Sequence, residues 1–289
     1  MANNIALAKN YTELLDKVYK EASVTSDLVS DSTLVRSGAN VNEIVYPQIE
    51  VTGLGDYDRN SGYTDGAVNL VWKTAKFNYD RGTKISVDTM DDEETFDISF
   101  GMAGAELQRT KVAPEADAFT FATLAGLDGV TTKAENITDG TTFLNALIEA
   151  KNAMDEAEVP EESRILYATP TLMNALLALD TYKSKEVLNS FTVKKKVPQS
   201  RFYTAIDLLN GKTSGEEAGH YRKAEAGKDI NFMIIEKSAV IKWDKHTASD
   251  VIAPENNPSA DSYISKYRKY GIVDAYANKR AGIYVSHKA

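Results

Sequence analysis

Residues 41–80 read VNEIVYPQIEVTGLGDYDRNSGYTDGAVNLVWKTAKFNYD, and this stretch decides the fold. Going up, Val45, Ile49 and Val51 fall on one side of a period-two pattern and Ile44 and Tyr46 on the other. Coming down, Val68, Leu70 and Trp72 alternate against Val71, Phe77 and Tyr79. Apolar residues recurring at every second position mark β-strands. Between the two legs, Gly53, Gly55, Gly62 and Gly66 punctuate a polar stretch that reads as a loop. With legs of about 12 residues at roughly 3.3 Å each, the hairpin is expected to reach on the order of 40 Å. A compact chain of this size would have a radius of gyration of only about 19 Å. A two-stranded hairpin is marginal by itself in water, so this one is expected to lie on another chain.

Composition narrows the class. The 289 residues suffice for one large domain or two smaller ones, and 43% apolar with 26% charged residues is a globular balance. No apolar run reaches the length of a membrane span, and Met1–Asn4 lacks the regions of a signal peptide. With no cysteine, disulfides, thiolate metal sites and a cysteine nucleophile are excluded. The net charge of −9 argues against a dedicated nucleic-acid binder. Lys194–Lys196 and the group Lys266, Arg268 and Lys269 are the tight basic clusters, and they read as solvated surface.

Outward from the hairpin, residues 4–21 space Leu7, Tyr11, Leu14 and Val18 as an amphipathic helix. Residues 23–40, SVTSDLVSDSTLVRSGAN, read as an extended arm rather than a core element. After a further strand or turn at Lys84–Val87, a helix is expected from near Asp91, with Phe96, Phe100, Ala103 and Leu107 on one stripe. Asp88, Asp91, Asp92, Glu93, Glu94 and Asp97 are best explained as helix-capping and dipole-compensating charges rather than a metal site. Pro114 kinks or restarts the helix, and Glu115–Leu124 continues it. Residues 126–140 read as a connector, 142–157 as a helix, 164–168 as a strand and Pro170 to about Leu179 as a helix. Asp229–Glu236 and Ala239–Lys245 read as strands joined by a tight turn, followed by a linker at Pro254–Pro258. Tyr263–Tyr276 and Ala281–Ser286 read as a closing hairpin turning at Asn278–Arg280.

No candidate catalytic, cofactor or metal motif is complete. Gly53-x-Gly55 follows a strand, but the third fingerprint glycine falls on Asp58 and no helix follows. Gly211-Lys212-Thr213 resembles the end of a phosphate loop, yet the earlier glycine is Ile206. Asp56-x-Asp58-x-Asn60 begins like a calcium loop, but Ser61 replaces the turn glycine and Ala67 the bidentate acid. His220, His246 and His287 are scattered, and there is no HExxH or GxSxG. The sequons at Asn10 and Asn136 carry no weight without a secretion signal. Trp72 and Trp243 read as buried or interface aromatics. The expectation is therefore no catalytic residues, no cofactor and no metal.

In order and spacing, these segments resemble the major capsid proteins of tailed bacteriophages, the Hong Kong 97-like fold, over nearly the whole chain. The stretches that carry the resemblance are KISVDTMDDEET (84–95), PEADAFTFATLAG (114–126), RILYATPTLMNALLAL (164–179), MIIEKSAVIKWDKH (233–246) and YRKYGIVDAYANKRAGIYV (267–285). The resemblance implies an α+β fold divided into an N-terminal helix and arm (1–40), an extended hairpin loop (41–88) and the spine helix of a peripheral domain (89–128). An axial domain (129–240) and returning peripheral strands (241–289) complete it. It implies a structural, non-enzymatic shell protein, located in the virion and made in the bacterial host cytoplasm. Many copies would associate as pentamers and hexamers, the hairpin overlapping a neighbour. Packaged double-stranded DNA would be enclosed without sequence-specific contacts, with no membrane involved. A portal and, because the chain leaves no room for a scaffolding segment ahead of the arm, a separate scaffolding protein are further implied partners, unless these residues are the mature form. Some relatives form lysine–asparagine cross-links, but nothing singles out a partner for Lys73, Lys76 or Lys84. An encapsulin, a bacterial nanocompartment shell on the same fold with a cargo-holding N-terminal helix, is the alternative. An enzyme with an unrecognised site is the rival from another class.

Overall fold

A computed structural model describes residues 22–30, 36–37, 42–60, 62–90 and 104–289. The chain divides into two units, Asp31–Asn78 and the remainder. The first is a three-stranded antiparallel sheet of β1 (Arg36–Ser37), β2 (Glu43–Val51) and β3 (Val68–Lys76), in that order. Its hairpin runs in unbroken register from Glu43 opposite Lys76 to Val51 opposite Val68. Each leg is nine residues, so the paired part spans about 30 Å rather than the expected 40 Å. Tyr79, read as the end of the descending leg, instead opens β4 (Tyr79–Asp88) in the other unit.

The larger unit is built on two sheets. A five-stranded sheet has the order β5 (Thr131–Ala134), β13 (Ile283–His287), β10 (Ile230–Glu236), β6 (Arg164–Ala168) and β7 (Val193–Lys196). Every residue of β6 and β10 is buried, as continuous apolar strands covered on both faces should be. One face packs under α2 (Gly140–Glu156), α3 (Pro170–Ala178) and α4 (Tyr182–Asn189), through Phe143, Leu147, Leu166, Leu176, Phe232 and Ile234. The other packs under α1 (Ala113–Ala125), through Phe121, Leu124, Tyr167, Phe202, Met233 and Val285. Asp139 caps α2 by accepting from Thr141 and Thr142 N–H, so the helix starts two residues before the expected Thr142. The second sheet has the order β11 (Val240–Ile252), β12 (Ser262–Ala275) and β4. A two-stranded ribbon of β8 (Ile206–Leu208) and β9 (Tyr221–Lys223) completes the unit.

Several expectations are corrected. The strands β10 and β11 are joined by a tight turn, as expected, but belong to different sheets; β12 and β13 are split in the same way and so form no closing hairpin. Glu236 accepts from the Ser238 N–H and hydroxyl, caps the 3-10 turn Lys237–Ala239 and redirects the chain. The turn Ala277–Gly282 crosses at the same place, where a Cβ on Gly282 would come within 3.1 Å of Ala239 and 3.2 Å of Glu236. The true long hairpin is β11–β12, paired from Val240 opposite Ala275 to Ile252 opposite Ile264; the supposed linker at Pro254 is its turn. The connector 126–140 holds β5, parallel to β13. Residues 22–30 are no free arm: Ser23, Thr25 and Leu28 are buried, and Leu28 belongs to the core beside Phe121 and Tyr167. The expected helix 4–21 and the stripe positions Phe96, Phe100 and Ala103 lie outside the described residues. Residues 104–107 are helical, a π turn follows at Gln108–Val112, and Pro114 sits in the first turn of α1, as its missing N–H allows.

Candidate functional site

The hairpin carries an exposed apolar face. Register places Pro47 opposite Trp72, Ile49 opposite Leu70 and Val51 opposite Val68, three successive apolar pairs. Strand alternation puts all six side chains on one face. Ile49 is 60% exposed, Leu70 50% and Trp72 45%, whereas Ile44, Tyr46 and Ala75 on the opposite face are buried. At about 1.5–3 kcal/mol for a fully covered aliphatic side chain, covering this half-exposed stripe would release on the order of 5 kcal/mol. The tip beyond it is closed by its own contacts. Asp58 and Gly62 exchange backbone hydrogen bonds, Asp58 accepts from the Asn60 N–H, and Tyr57 meets Tyr63 edge-on at 4.8 Å.

Within the larger unit, two acidic residues of α1 organise buried polar nodes. The Asp117 side chain, fully buried, accepts from Ser23 and Thr25 hydroxyls at 2.7 and 2.6 Å, from Val24 and Thr25 N–H, and from Arg201 at 3.1 Å. Lys242 on β11 donates its Nζ to the Thr25 hydroxyl and carbonyl. Burial pushes this amine down to about 8, against the pull of Asp117. The segment 22–30 is thus strapped down by polar groups from α1, β11 and the turn Gln199–Arg201. Two residues earlier, Glu115 accepts from the Tyr79 hydroxyl and from Arg81 at 2.7 Å, with His220 Nδ1 at 3.5 Å. Burial alone would raise the Glu115 carboxyl, but the His220 and Arg81 hydrogen bonds hold it below its ordinary value. Arg81 also donates to the Leu209 and His220 carbonyls, fastening the β8–β9 ribbon to β4. Both acids lie at the start of the helix expected over Glu115–Leu124, but their partners lie too far away in sequence to be read.

No protein-family model matches the sequence, and no curated protein matches it. Solved structures do match, among them a phage capsid and a virus-like particle. A structure from Microbacterium phage Oxtober96 aligns with TM-score 0.61 at 9% identity, over 93% of this chain and 91% of that one. The capsid structure of the cyanophage P-SCSP1u aligns with TM-score 0.60 at 14% identity, over 93% and 88%. A virus-like particle from Pyrococcus furiosus aligns with TM-score 0.60 at 10% identity, over 97% and 99%. This is a capsid fold. The expected α+β, Hong Kong 97-like architecture is met at the level of the fold, with identity too low to carry more.

The residues of the incomplete motifs are spread over the fold. Gly53, Gly55 and Asp56 lie in the exposed hairpin tip. The Lys212 and Thr213 N–H groups of the pseudo-phosphate loop are taken by the Asn210 side chain, so they form no anion cradle. His220 sits at Glu115, His246 at the bulge of β11 and His287 at the end of β13. Among the described residues no three His, Asp or Glu side chains converge as a metal site, and no helix is long and apolar enough to cross a membrane. Asp88 accepts from the Met90 N–H; the rest of the acidic run lies outside the described residues. Lys195 pairs with Asp27, Lys196 with Asn174, Arg268 with Asp80 and the buried Lys269 with Asp244; Lys266 is exposed. Trp72 lies on the exposed hairpin face, whereas Trp243 is half-buried opposite Ile272. Asn136 accepts from the Ala289 N–H, and Lys73, Lys76 and Lys84 are exposed.

Proposed function

We propose that this chain is the major capsid protein of a tailed phage, a non-enzymatic subunit that assembles in many copies into a closed icosahedral head. The observation that carries the reading is the hairpin face with five exposed apolar side chains, Ile49, Val51, Val68, Leu70 and Trp72, on a chain whose fold is that of capsid subunits. Covering such a face releases free energy, and in a lattice a second copy would supply the cover. In this reading the subunits form pentamers and hexamers around enclosed double-stranded DNA, with a portal and a separate scaffolding protein as partners. The virion is the location, after synthesis in the host cytoplasm. Residues 1–40 would contribute the helix and arm, 41–88 the overlapping loop, 89–128 the spine, 129–240 the axial domain and 241–289 the returning strands, with residues 22–30 strapped to the core. A nanocompartment shell is the second reading, favoured by the near-complete overlap with the Pyrococcus furiosus particle.

Replacing residues 53–66 by an Asn-Gly turn tests the proposal. The subunit is expected to stay folded by circular dichroism, since the tip is exposed and closed on itself. Electron microscopy is expected to show failed or irregular shells, because a specific contact needs on the order of 1,000 Å² of buried surface. Normal particles from the shortened chain would refute the overlapping hairpin.

A further inference from the structure

We infer that Asn210 is a self-modification site, where the side-chain amide closes on the Gly211 nitrogen and converts to aspartate or isoaspartate. Asn210-Gly211 is the one Asn-Gly pair in the 289 residues. The Asn210 side-chain oxygen accepts from the Lys212 N–H at 2.7 Å and the Thr213 N–H at 2.9 Å. Two backbone donors on one carbonyl oxygen polarise it where negative charge develops when a nucleophile adds to its carbon. The Asn210 Nδ2, the leaving group, is fixed by a 2.7 Å hydrogen bond to the Thr213 hydroxyl. The nucleophile is unencumbered: Gly211 has φ +72°, a region glycine enters without strain, and no Cβ shields its nitrogen. Asn210 is exposed, so water reaches the product.

The step balances without an oxidant or reductant. The Gly211 nitrogen loses its proton to solvent and bonds to the Asn210 side-chain carbon; the bond to Nδ2 breaks and ammonia leaves with a proton. Water then opens the five-membered imide at either carbonyl, leaving aspartate or, with the main chain rerouted through the side chain, isoaspartate. Asparagine and water become an acid and ammonia. The conversion lies one residue from Leu209, whose carbonyl holds Arg81, so a charge and a longer backbone appear beside the Glu115 node.

Peptide mapping by mass spectrometry on the full chain, held at mildly alkaline pH, measures the exchange of –NH2 for –OH, and isoaspartyl methyltransferase labelling identifies isoaspartate. A free peptide of residues 206–216 and the internal pair Asn189-Ser190 serve as references. Conversion at Asn210 is expected to exceed that in the peptide by about tenfold, a modest share of what oxyanion donors supply in enzymes, with Asn189 intact. A folded-state rate equal to or below the peptide's, or equal conversion at Asn189, overturns the inference. Because this readout needs no shell, it stands or falls separately from the proposed function.

Discussion

The hairpin and the strapped core handle apolar and charged groups in opposite ways. The core hides charges: Asp117, Arg164 and Lys242 are all buried and are met by hydrogen bonds within the same unit. The hairpin exposes hydrophobics: Ile49, Val51, Val68, Leu70 and Trp72 face water on one side. A buried ion met by its own chain makes the fold specific but leaves nothing for a partner, whereas an uncovered apolar stripe does little for the subunit and much for contact between subunits. In the proposed shell, the stability of the subunit and the drive to assemble would thereby lie in different segments, which can be altered one at a time.

Removing the Asp117 carboxylate should have the largest effect on the subunit. Asp117→Ala strips partners from Ser23, Thr25 and Arg201 and leaves Lys242 less well compensated, so a loss of about 3–5 kcal/mol in urea unfolding is expected. If the change is under about 1 kcal/mol, the strap does not hold the core together and the comparison fails on that side. Lys242→Met sharpens the same point through pH. The folded amine titrates at about 8, below its ordinary 10.5, so between those values the unfolded chain binds more protons than the folded one. Wild-type stability should therefore gain on the order of 3 kcal/mol from this group as pH rises from 8 to 10.5 and nothing from it below 8. Urea midpoints at the two ends of that window should differ less in Lys242→Met than in the wild type. The smallest effect on folding belongs to the hairpin. Ile49→Lys with Leu70→Glu should change unfolding by no more than about 1 kcal/mol, because both side chains are at least half exposed and the facing charges are opposite. Electron microscopy should nonetheless show shells lost, and intact shells from this variant would erase the contrast between the two regions.

Legibility in the sequence followed the range of the interaction. The hairpin legs and the strand at 164–168 were readable because alternation and apolar runs act within a few residues. The strap at 22–30 was not, because its Ser, Thr and Asp composition is also that of a solvent-exposed arm. Its partner Asp117 lies 92–94 positions away. For the same reason Glu115 and His220 read as ordinary surface types until folding placed them together.

By itself the sequence determined several of the strands and helices among the described residues, and which side chains share a face of each strand, since side-chain direction follows from local backbone geometry. Only the tertiary structure decided that the stripes of β2 and β3 lie on the same face, because that depends on register, and a one-residue slip would separate them. It alone decided that β10 and β11, and β12 and β13, part into different sheets at the crossing of Ala239 and Gly282. Periodicity states that a strand has an apolar face, but only long-range packing chooses the surface that covers it; on the hairpin face, Ile49, Val51, Val68 and Leu70 stay at least half exposed.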